Sequence, residues 1–305
     1  MMWENEDERK KHTGQDTRTE GIESDVELKA GEGIRIWRRK RAADFTMNQD
    51  HYHRNYELYY LAAGRCRVFL NHTIYHLEAG DMVLIEPLAL HHTIYGIVQE
   101  SERIAVHFEG DCLETMRKQC GEQWLEQLLK NPHLSVEAGR RGYVETLFRK
   151  LMAEQQSQDA FSAMLRQNYL YELLAFAGRC RRENGQRQFT DVSQLTEREA
   201  AIQKAASYIY NHYQEPLTLD LVAERVHMSP TYFSRRFKKL TGFGYREYVN
   251  HIRLKEASRL LLETELPVME IAQRCGFADS NYFGDLFRKE KGVSPRVYRK
   301  NPQIL

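Results

Sequence analysis

Hydrophobic and polar positions follow three successive patterns along the chain, and the first is typical of β-strands. From residue 34 to 108, short runs rich in β-branched and aromatic residues, such as 65–71 and 81–87, are separated by turn residues such as Gly80. Many short strands at close spacing are typical of a β-barrel or a double-sheet jelly roll. We therefore predict an N-terminal barrel over residues 29–110.

The second pattern is helical. In residues 143–156 and 163–180, apolar side chains recur every three or four positions, as they do on one face of a helix. One stripe of this kind consists of Leu165, Tyr169, Leu173 and Phe176. Such a stripe can pack against the barrel or form a dimer contact, and the two uses are compatible. We predict a helical dimerisation or packing segment over 111–184 and a polar linker over 185–198.

The third pattern is also helical, and it contains an internal repeat. The segment SPTYFSRRFKKLTGFGYREY at 229–248 aligns with DSNYFGDLFRKEKGVSPRVY at 279–298, an offset of 50 residues. A shorter helical segment precedes each copy, at 217–226 and at 267–277. Helix, tight turn and helix make a helix-turn-helix unit, so we predict two such units in a domain over 199–301.

The first copy divides into an apolar and a polar face. The apolar stripe consists of Phe233, Phe237 and Leu240, and the polar stripe consists of Thr231, Arg235 and Lys238. Ser229 can cap the helix, with Pro230 at its first position. Arginine can read guanine through two hydrogen bonds, whereas lysine and serine can hold phosphates. A single amphipathic helix would be typical of a solvated surface, but its repetition favours two recognition helices in DNA grooves.

Composition and charge agree with this division. The 305 residues are 42% hydrophobic and 29% charged, which is typical of a globular protein of about two domains. From 197 to 305, 18 Lys and Arg stand against 13 Asp and Glu, a net charge of +5, whereas the preceding residues carry a net charge of −4. A basic C-terminal part indicates a polyanion as its partner.

The N-terminus and the cysteines bear on the cellular compartment. The first residues are polar and charged, which predicts a disordered tail over 1–28. They lack the apolar segment of a signal peptide, and no apolar run approaches the ~20 residues that cross a bilayer. The five cysteines are scattered without a CxxC pair, which fits a reducing compartment better than a disulfide framework. We therefore expect a cytoplasmic protein with no membrane partner.

The repeated segments resemble the AraC/XylS family of transcription regulators over roughly residues 200–300. The matching stretches are SPTYFSRRFKKLTG, RLKEASRLL, VMEIAQRCGFADSNYF and FRKEKGVSPRVYR. In that family two recognition helices read adjacent major grooves, so the resemblance implies double-stranded DNA and RNA polymerase as partners. The residues that it implies for DNA binding are Ser229, Thr231, Ser234, Arg235, Lys238, Lys239, Ser280, Asn281, Asp285 and Arg288.

Asp285 departs from the family pattern, which usually has a basic residue at this position. A carboxylate repels phosphate but can accept a hydrogen bond from cytosine N4. It can also pair within its own helix with Arg288 or Lys289. We expect the second unit to bind DNA more weakly than the first or to select a different base.

A second group of polar residues lies in the predicted barrel. His51, His53 and Glu57 precede Gly64 with the spacing HxHxxxExxxxxxG. Residues two apart on a strand share a face, so the two histidines would point the same way. Glu57 and Tyr59 follow on that face if the strand is unbroken.

A later histidine, His91 or His92, would complete a site of three histidines and one carboxylate for a divalent metal. The spacing resembles the cupin barrel, which the AraC-type family often carries as its effector domain, although Ala89 stands where cupins often have glycine. Three interpretations stay open: a bound metal, a pocket for a polyhydroxylated ligand such as a sugar, and structural histidines. The candidate metal ligands are His51, His53, Glu57 and His91, and Tyr59 joins these four as candidate effector-binding residues.

These patterns predict an α+β protein. A cupin-like β-barrel of the jelly-roll type, with helices after it, precedes an all-α domain with two helix-turn-helix units. The expected function is that of a dimeric, sequence-specific transcription regulator, an activator rather than a repressor, controlled by a small effector. No catalytic residue is expected. Two alternatives are a metal-dependent cupin isomerase or dioxygenase fused to a DNA-binding domain, and a regulator whose barrel is vestigial.

Overall fold

A computed structural model describes residues 33–41, 53–95, 100–157, 159–183 and 195–300. The predicted tail at 1–28 and most of the predicted linker at 185–198 lie outside the described residues. Within the described residues, no helix combines the length and the apolar character needed to cross a membrane.

Two antiparallel sheets enclose an apolar interior in the N-terminal part. Their strands are β1 (Ile34–Arg41), β2 (Tyr56–Ala63), β3 (Arg65–Leu70), β4 (Thr73–Glu78), β5 (Asp81–Ile85), β6 (His91–Tyr95), β7 (Ser101–Phe108) and β8 (His133–Ser135). One sheet has the strand order β1-β7-β2-β5-β8, and the other has the order β4-β3-β6. This architecture confirms the predicted cupin-like barrel.

Strand alternation decides which residues enter the barrel. On β2, Tyr59 and Leu61 face the interior, whereas Leu58 and Tyr60 face the helices behind the sheet. All four side chains are at most 1% exposed. Both faces of the five-stranded sheet are therefore buried, and for this reason β2 is almost continuously apolar.

Four helices cover the outer face of the five-stranded sheet. They are α1 (Glu114–Cys120), α2 (Gln123–Lys130), α3 (Ala138–Gln156) and α4 (Ser162–Glu183). In the predicted stripe, Leu173 and Phe176 are buried in this core, Tyr169 packs against it and Leu165 is half-buried. Packing of the stripe against the barrel is thus confirmed, and dimerisation through it stays a prediction.

Strand β8 lies inside the segment that the sequence predicts to be helical. It pairs with β5, and the Ser135 hydroxyl donates a hydrogen bond of 2.6 Å to Asp81 Oδ1. Three residues are too few to show an alternating pattern, so periodicity could not have indicated this strand.

The C-terminal part is helical and contains both predicted helix-turn-helix units. Its helices are α5 (Glu197–His212), α6 (Leu219–Arg225), α7 (Pro230–Thr241), α8 (Tyr245–Glu263), α9 (Val268–Arg274), α10 (Ser280–Lys291) and α11 (Pro295–Lys300). Helices α6 and α7 form the first unit, α9 and α10 form the second, and α8 connects them. Both recognition helices, α7 and α10, end at a glycine with positive φ, Gly242 at 85° and Gly292 at 76°. The repeat therefore includes the signal that terminates each helix.

Candidate DNA-binding and effector sites

The recognition helices are anchored by matching pairs of phenylalanines. Phe233 and Phe237 of α7 are fully buried in one core, and Phe283 and Phe287 of α10 are fully buried in another. The predicted DNA-contacting residues lie on the remaining faces, where nine of the ten are exposed and Ser234 is half-buried. Each unit thus presents a polar helix face that is fixed from behind, as insertion into a DNA groove requires.

The two helices begin differently. Ser229 occupies the N-cap position of α7 with Pro230 after it, but its side chain makes no capping hydrogen bond, contrary to the prediction. In α10 the Asp279 carboxylate accepts a hydrogen bond of 2.8 Å from the backbone N–H of Asn281. The exposed Ser229 hydroxyl is therefore not used by its own helix and is available to a phosphate oxygen.

Asp285 is exposed in the middle of α10. The sequence allowed its carboxylate either to contact a base or to form an ion pair within its own helix. Among the described residues, Asp285 makes no ion pair with Arg288 or Lys289. On the predicted DNA-binding face, an unpaired carboxylate would repel phosphate and could accept a hydrogen bond from a base. The expectation that the second unit differs from the first in base preference or affinity therefore remains.

A cluster of buried polar residues lies at one end of the barrel interior. Glu57 Oε2 lies 3.0 Å from His53 Nε2, 3.3 Å from His107 Nε2 and 3.5 Å from His91 Nε2. All four residues are at most 4% exposed. The ligand atoms of His53, Glu57 and His91 lie within 4.8 Å of one another, as the ligands of a metal ion would.

Backbone hydrogen bonds determine which ring nitrogens carry protons. His53 Nδ1 lies 2.7 Å from the carbonyl oxygen of Asn55, and His91 Nδ1 lies 2.9 Å from that of Ala89. Because a carbonyl only accepts, both Nδ1 atoms carry hydrogen, and a neutral ring then has its Nε2 lone pair toward Glu57. Either extra protons on the rings or a bound cation must satisfy these lone pairs beside the carboxylate. A backbone carbonyl that holds the second nitrogen is the usual support of a metal-binding histidine.

Glu57 is ionised in this surrounding. Burial alone raises the pKa of its carboxyl, but the charges and hydrogen bonds of His107, His53 and His91 outweigh burial and hold the pKa well below its usual range. Burial lowers the pKa of His107, and the nearby Glu57 carboxylate only partly opposes this shift. The cluster thus combines a buried anion with imidazoles that can donate protons or lone pairs.

The structure brings together only part of the predicted effector site. His51 lies outside the described residues. Tyr59 is the next residue of β2 after Glu57 whose side chain points into the barrel, and its hydroxyl lies 3.4 Å from Cys66 Sγ. Sequence reasoning missed His107, which pairs in register with Glu57, and Arg103, a buried cation whose guanidinium carbon lies 5.9 Å from the Tyr59 ring.

The outer face of the three-stranded sheet packs on the first helix-turn-helix unit. Phe69, Ile74 and Leu90 of the barrel share one apolar cluster with Phe233 and Phe237. The barrel and the first recognition helix therefore have a common core.

Polar contacts border this common core. Arg67 of β3 forms an ion pair with Glu199 of α5, and the Tyr248 hydroxyl donates a hydrogen bond to the backbone oxygen of Asn71. Burial raises the pKa of Glu199, but hydrogen bonds from Thr196 and Arg67 outweigh it and lower the pKa. Glu199 is thus held as an anion at the boundary.

His91 and His92 lie on opposite sides of β6. His91 faces the cluster inside the barrel, so of the two candidates only His91 can contribute to it. His92 faces the DNA-binding part, where a Cβ at Gly242 would lie 2.7 Å from His92 Cγ. Two neighbouring residues therefore connect the barrel interior with the end of the first recognition helix.

Known proteins resemble both parts of the chain. Residues 36–174 match the AraC-like ligand binding domain family, and residues 222–301 match a helix-turn-helix domain family. The HTH-type transcriptional regulator YijO of Escherichia coli is 40% identical over 36% of this chain and 39% of its own length. The HTH-type transcriptional regulator YisR of Bacillus subtilis is 27% identical over 90% of this chain and 93% of its own length. The HTH-type transcriptional activator RhaS of Escherichia coli is 39% identical over 31% of this chain and 34% of its own length.

Proposed function

Because this chain belongs to the AraC/XylS family of transcription regulators, we propose that α7 and α10 read two adjacent major grooves of DNA. One observation carries the proposal: the same unit occurs twice, each time with a buried phenylalanine pair behind an exposed polar face. Two recognition helices on one side of the duplex need a separation of about 34 Å, one helical turn. The connecting helix α8 would hold them at a fixed separation.

Arg235→Ala is expected to weaken recognition of one half of the binding site, at a cost of about 1–3 kcal/mol. Arg235 is exposed on α7 and can read a base edge. The measurement is a selection from genomic DNA by the purified full chain at fixed salt. The wild type should enrich a two-part motif with half-sites about one helical turn apart, and Arg235→Ala should lose base preference in one of the two halves. Asp285→Ala should alter only the other half.

Arg149→Ala is the matched control for this selection. It removes the same exposed side chain from α3, behind the barrel, and should leave both half-sites unchanged. An enriched motif with only one half, or a motif that Arg235→Ala leaves intact, would contradict the two-groove proposal.

We further propose that a small molecule inside the barrel regulates DNA binding. His91 belongs to the buried cluster, and the next residue, His92, contacts Gly242 at the end of the first recognition helix. This arrangement supports a coupling along β6 between a ligand in the barrel and that helix. A ligand regulates only when it binds one arrangement of the two parts more tightly than the other. We propose a polyhydroxylated ligand such as a sugar, because carboxylate and imidazole groups can bind hydroxyls. We also propose that the protein activates transcription through RNA polymerase, by analogy with the activator RhaS. Two copies of the chain would act together as a homodimer.

The tautomers of His53 and His91 leave two Nε2 lone pairs beside Glu57, which a divalent cation in the barrel would satisfy. We propose that these two residues and Glu57 hold it, with His51 as a candidate further ligand outside the described residues. The cation would supply the positive charge that satisfies two imidazole lone pairs and a buried carboxylate.

Glu57→Gln is expected to remove this cation from the protein. Elemental analysis of the full chain, loaded with Zn²⁺ or Mn²⁺ and dialysed, should find about one ion per chain in the wild type and little in the variant. Glu102→Gln is the control, since this carboxylate lies elsewhere on β7 and pairs with Arg38. Absence of metal from all three proteins would instead indicate that the histidines are satisfied by protons, and about one ion per chain in Glu57→Gln would exclude Glu57 as a required ligand.

A further inference from the structure

A groove behind the barrel, between α1, α2 and α4, is separate from the DNA-binding face and from the histidine cluster. It has a volume of about 330 Å³. One wall is apolar, and Arg179 and Arg182 from the end of α4 also line the groove. The apolar wall consists of Met116, Trp124, Leu128 and Leu174.

Several polar groups of the groove have no partner among the described residues. Arg179 and Arg182 are exposed and form no ion pair there, and the buried indole N–H of Trp124 has no acceptor. Arg181, which lies between the two, is different, because its guanidinium donates to the backbone oxygens of Asn131 and His133. Two unpaired cations beside an apolar wall match a ligand with an anionic head and an apolar body.

We propose that this groove binds a small organic anion with an apolar body, either aromatic or aliphatic, as a second ligand of the protein. The volume of the groove lies at the small end of the range for ligand pockets, so the groove suits a small molecule. Gly178 lines the groove, and a Cβ there would meet no atom within 4 Å, so the helix backbone is open to a ligand.

The groove also lies where a ligand can influence the DNA-binding part. One of its walls is the last two turns of α4, which ends at Glu183, and α5 begins at Glu197. A bound anion would hold the side chains of Arg179 and Arg182 at the end of α4, from which the chain continues to the first helix-turn-helix unit. Cations near a helix C-terminus interact favourably with its dipole, and Arg179 and Arg182 would remain there when they bind a carboxylate.

The test is isothermal titration calorimetry of the full chain with naphthoate, decanoate and the uncharged naphthamide. We expect one molecule of at least one carboxylate per chain, and binding of the amide weaker by about tenfold or more, since it lacks the charge-assisted hydrogen bonds. Gly178→Leu should abolish binding because its side chain fills the groove. Gly142→Leu, at an exposed position of α3 with no atom within 4 Å, should bind as the wild type does.

A double variant, Arg179→Gln with Arg182→Gln, tests the head group without changing the core. Binding of the carboxylates should weaken by about tenfold or more, whereas Arg149→Gln on α3 should have no effect. Because these side chains are exposed, this comparison holds even when Gly178→Leu impairs folding.

Three results would each overturn the proposal: neither carboxylate binds, the amide binds equally well, or both the Gly178→Leu and double variants bind as the wild type does. DNA affinity is not part of this measurement, so its outcome leaves the DNA-binding proposal unaffected.

Discussion

Phe237→Ala is expected to remove about 3–5 kcal/mol from the free energy of unfolding. The Phe237 side chain is fully buried, and its ring centroid lies 5.1 Å from that of Tyr248 and 5.3 Å from that of Phe233. Truncation loses the favourable transfer of the ring from water and leaves a cavity in a core that includes Phe69 of the barrel. Because domains are typically stable by about 5–15 kcal/mol, the loss is a large share of the total. Urea denaturation of the full chain measures it.

Phe287→Ala is the matched comparison. Phe287 occupies the same position of the second unit and is also fully buried, but its described core contains no barrel residue. Both variants should lose a similar free energy of unfolding. Only Phe237→Ala should also speed amide hydrogen exchange in β3 and β6, whose outer faces rest on the first unit. Equal protection of these strands in the two variants would contradict a common core.

The helix-turn-helix units could be predicted from the sequence because their determinants are local. The spacing of Phe233 and Phe237 defines a helix face, and Gly242 ends the helix in a conformation that favours glycine. The same signals recur 50 residues later at Phe283, Phe287 and Gly292, so each copy supports the interpretation of the other. Little of this depends on contacts with distant parts of the chain.

The barrel cluster could be predicted only in part, because strand pairing is not local. Glu57 and His107 are opposite each other only through the register of β2 and β7. Alternation along β7, where Arg103 and His107 share a face, could have indicated that both point inward. The choice between His91 and His92 depends on strand register, since a shift of one residue exchanges the two faces of a strand.

The packing of the barrel on the first unit left no distinct signal in the sequence. An outward Phe69 on β3 shows that some element covers this face, but not which one. The groove behind the barrel was also invisible, because its walls come from three helices that are brought together by the sheet they cover.

Lowering the pH from 7 to 5 is expected to weaken the contact between the barrel and α8. His251 of α8 donates from Nε2 to the backbone oxygen of Leu88 at 2.9 Å. Burial lowers the pKa of His251 to about 4; the hydrogen bond to Leu88 opposes this shift, and Lys291 and Lys255 add to it. The unfolded value is about 6.5, so protonation favours the unfolded or separated state. The contribution of neutral His251 to the free energy of unfolding is therefore fully present above about pH 6.5. It is lost as the pH falls toward 4, and about 2 kcal/mol of it is lost at pH 5.

His251→Gln separates this contribution from the other titrating groups. Glutamine keeps an N–H donor for Leu88 but does not titrate, so the loss of unfolding free energy between pH 7 and 5 should shrink by about 2 kcal/mol. His212→Gln is the control, because His212 is paired with Glu215 on the surface of α5 and lies outside the barrel contact. His107 is present in all three proteins, so its titration cancels in the comparison. An undiminished pH dependence in His251→Gln would mean that the contact between the barrel and α8 does not respond to protonation of this residue.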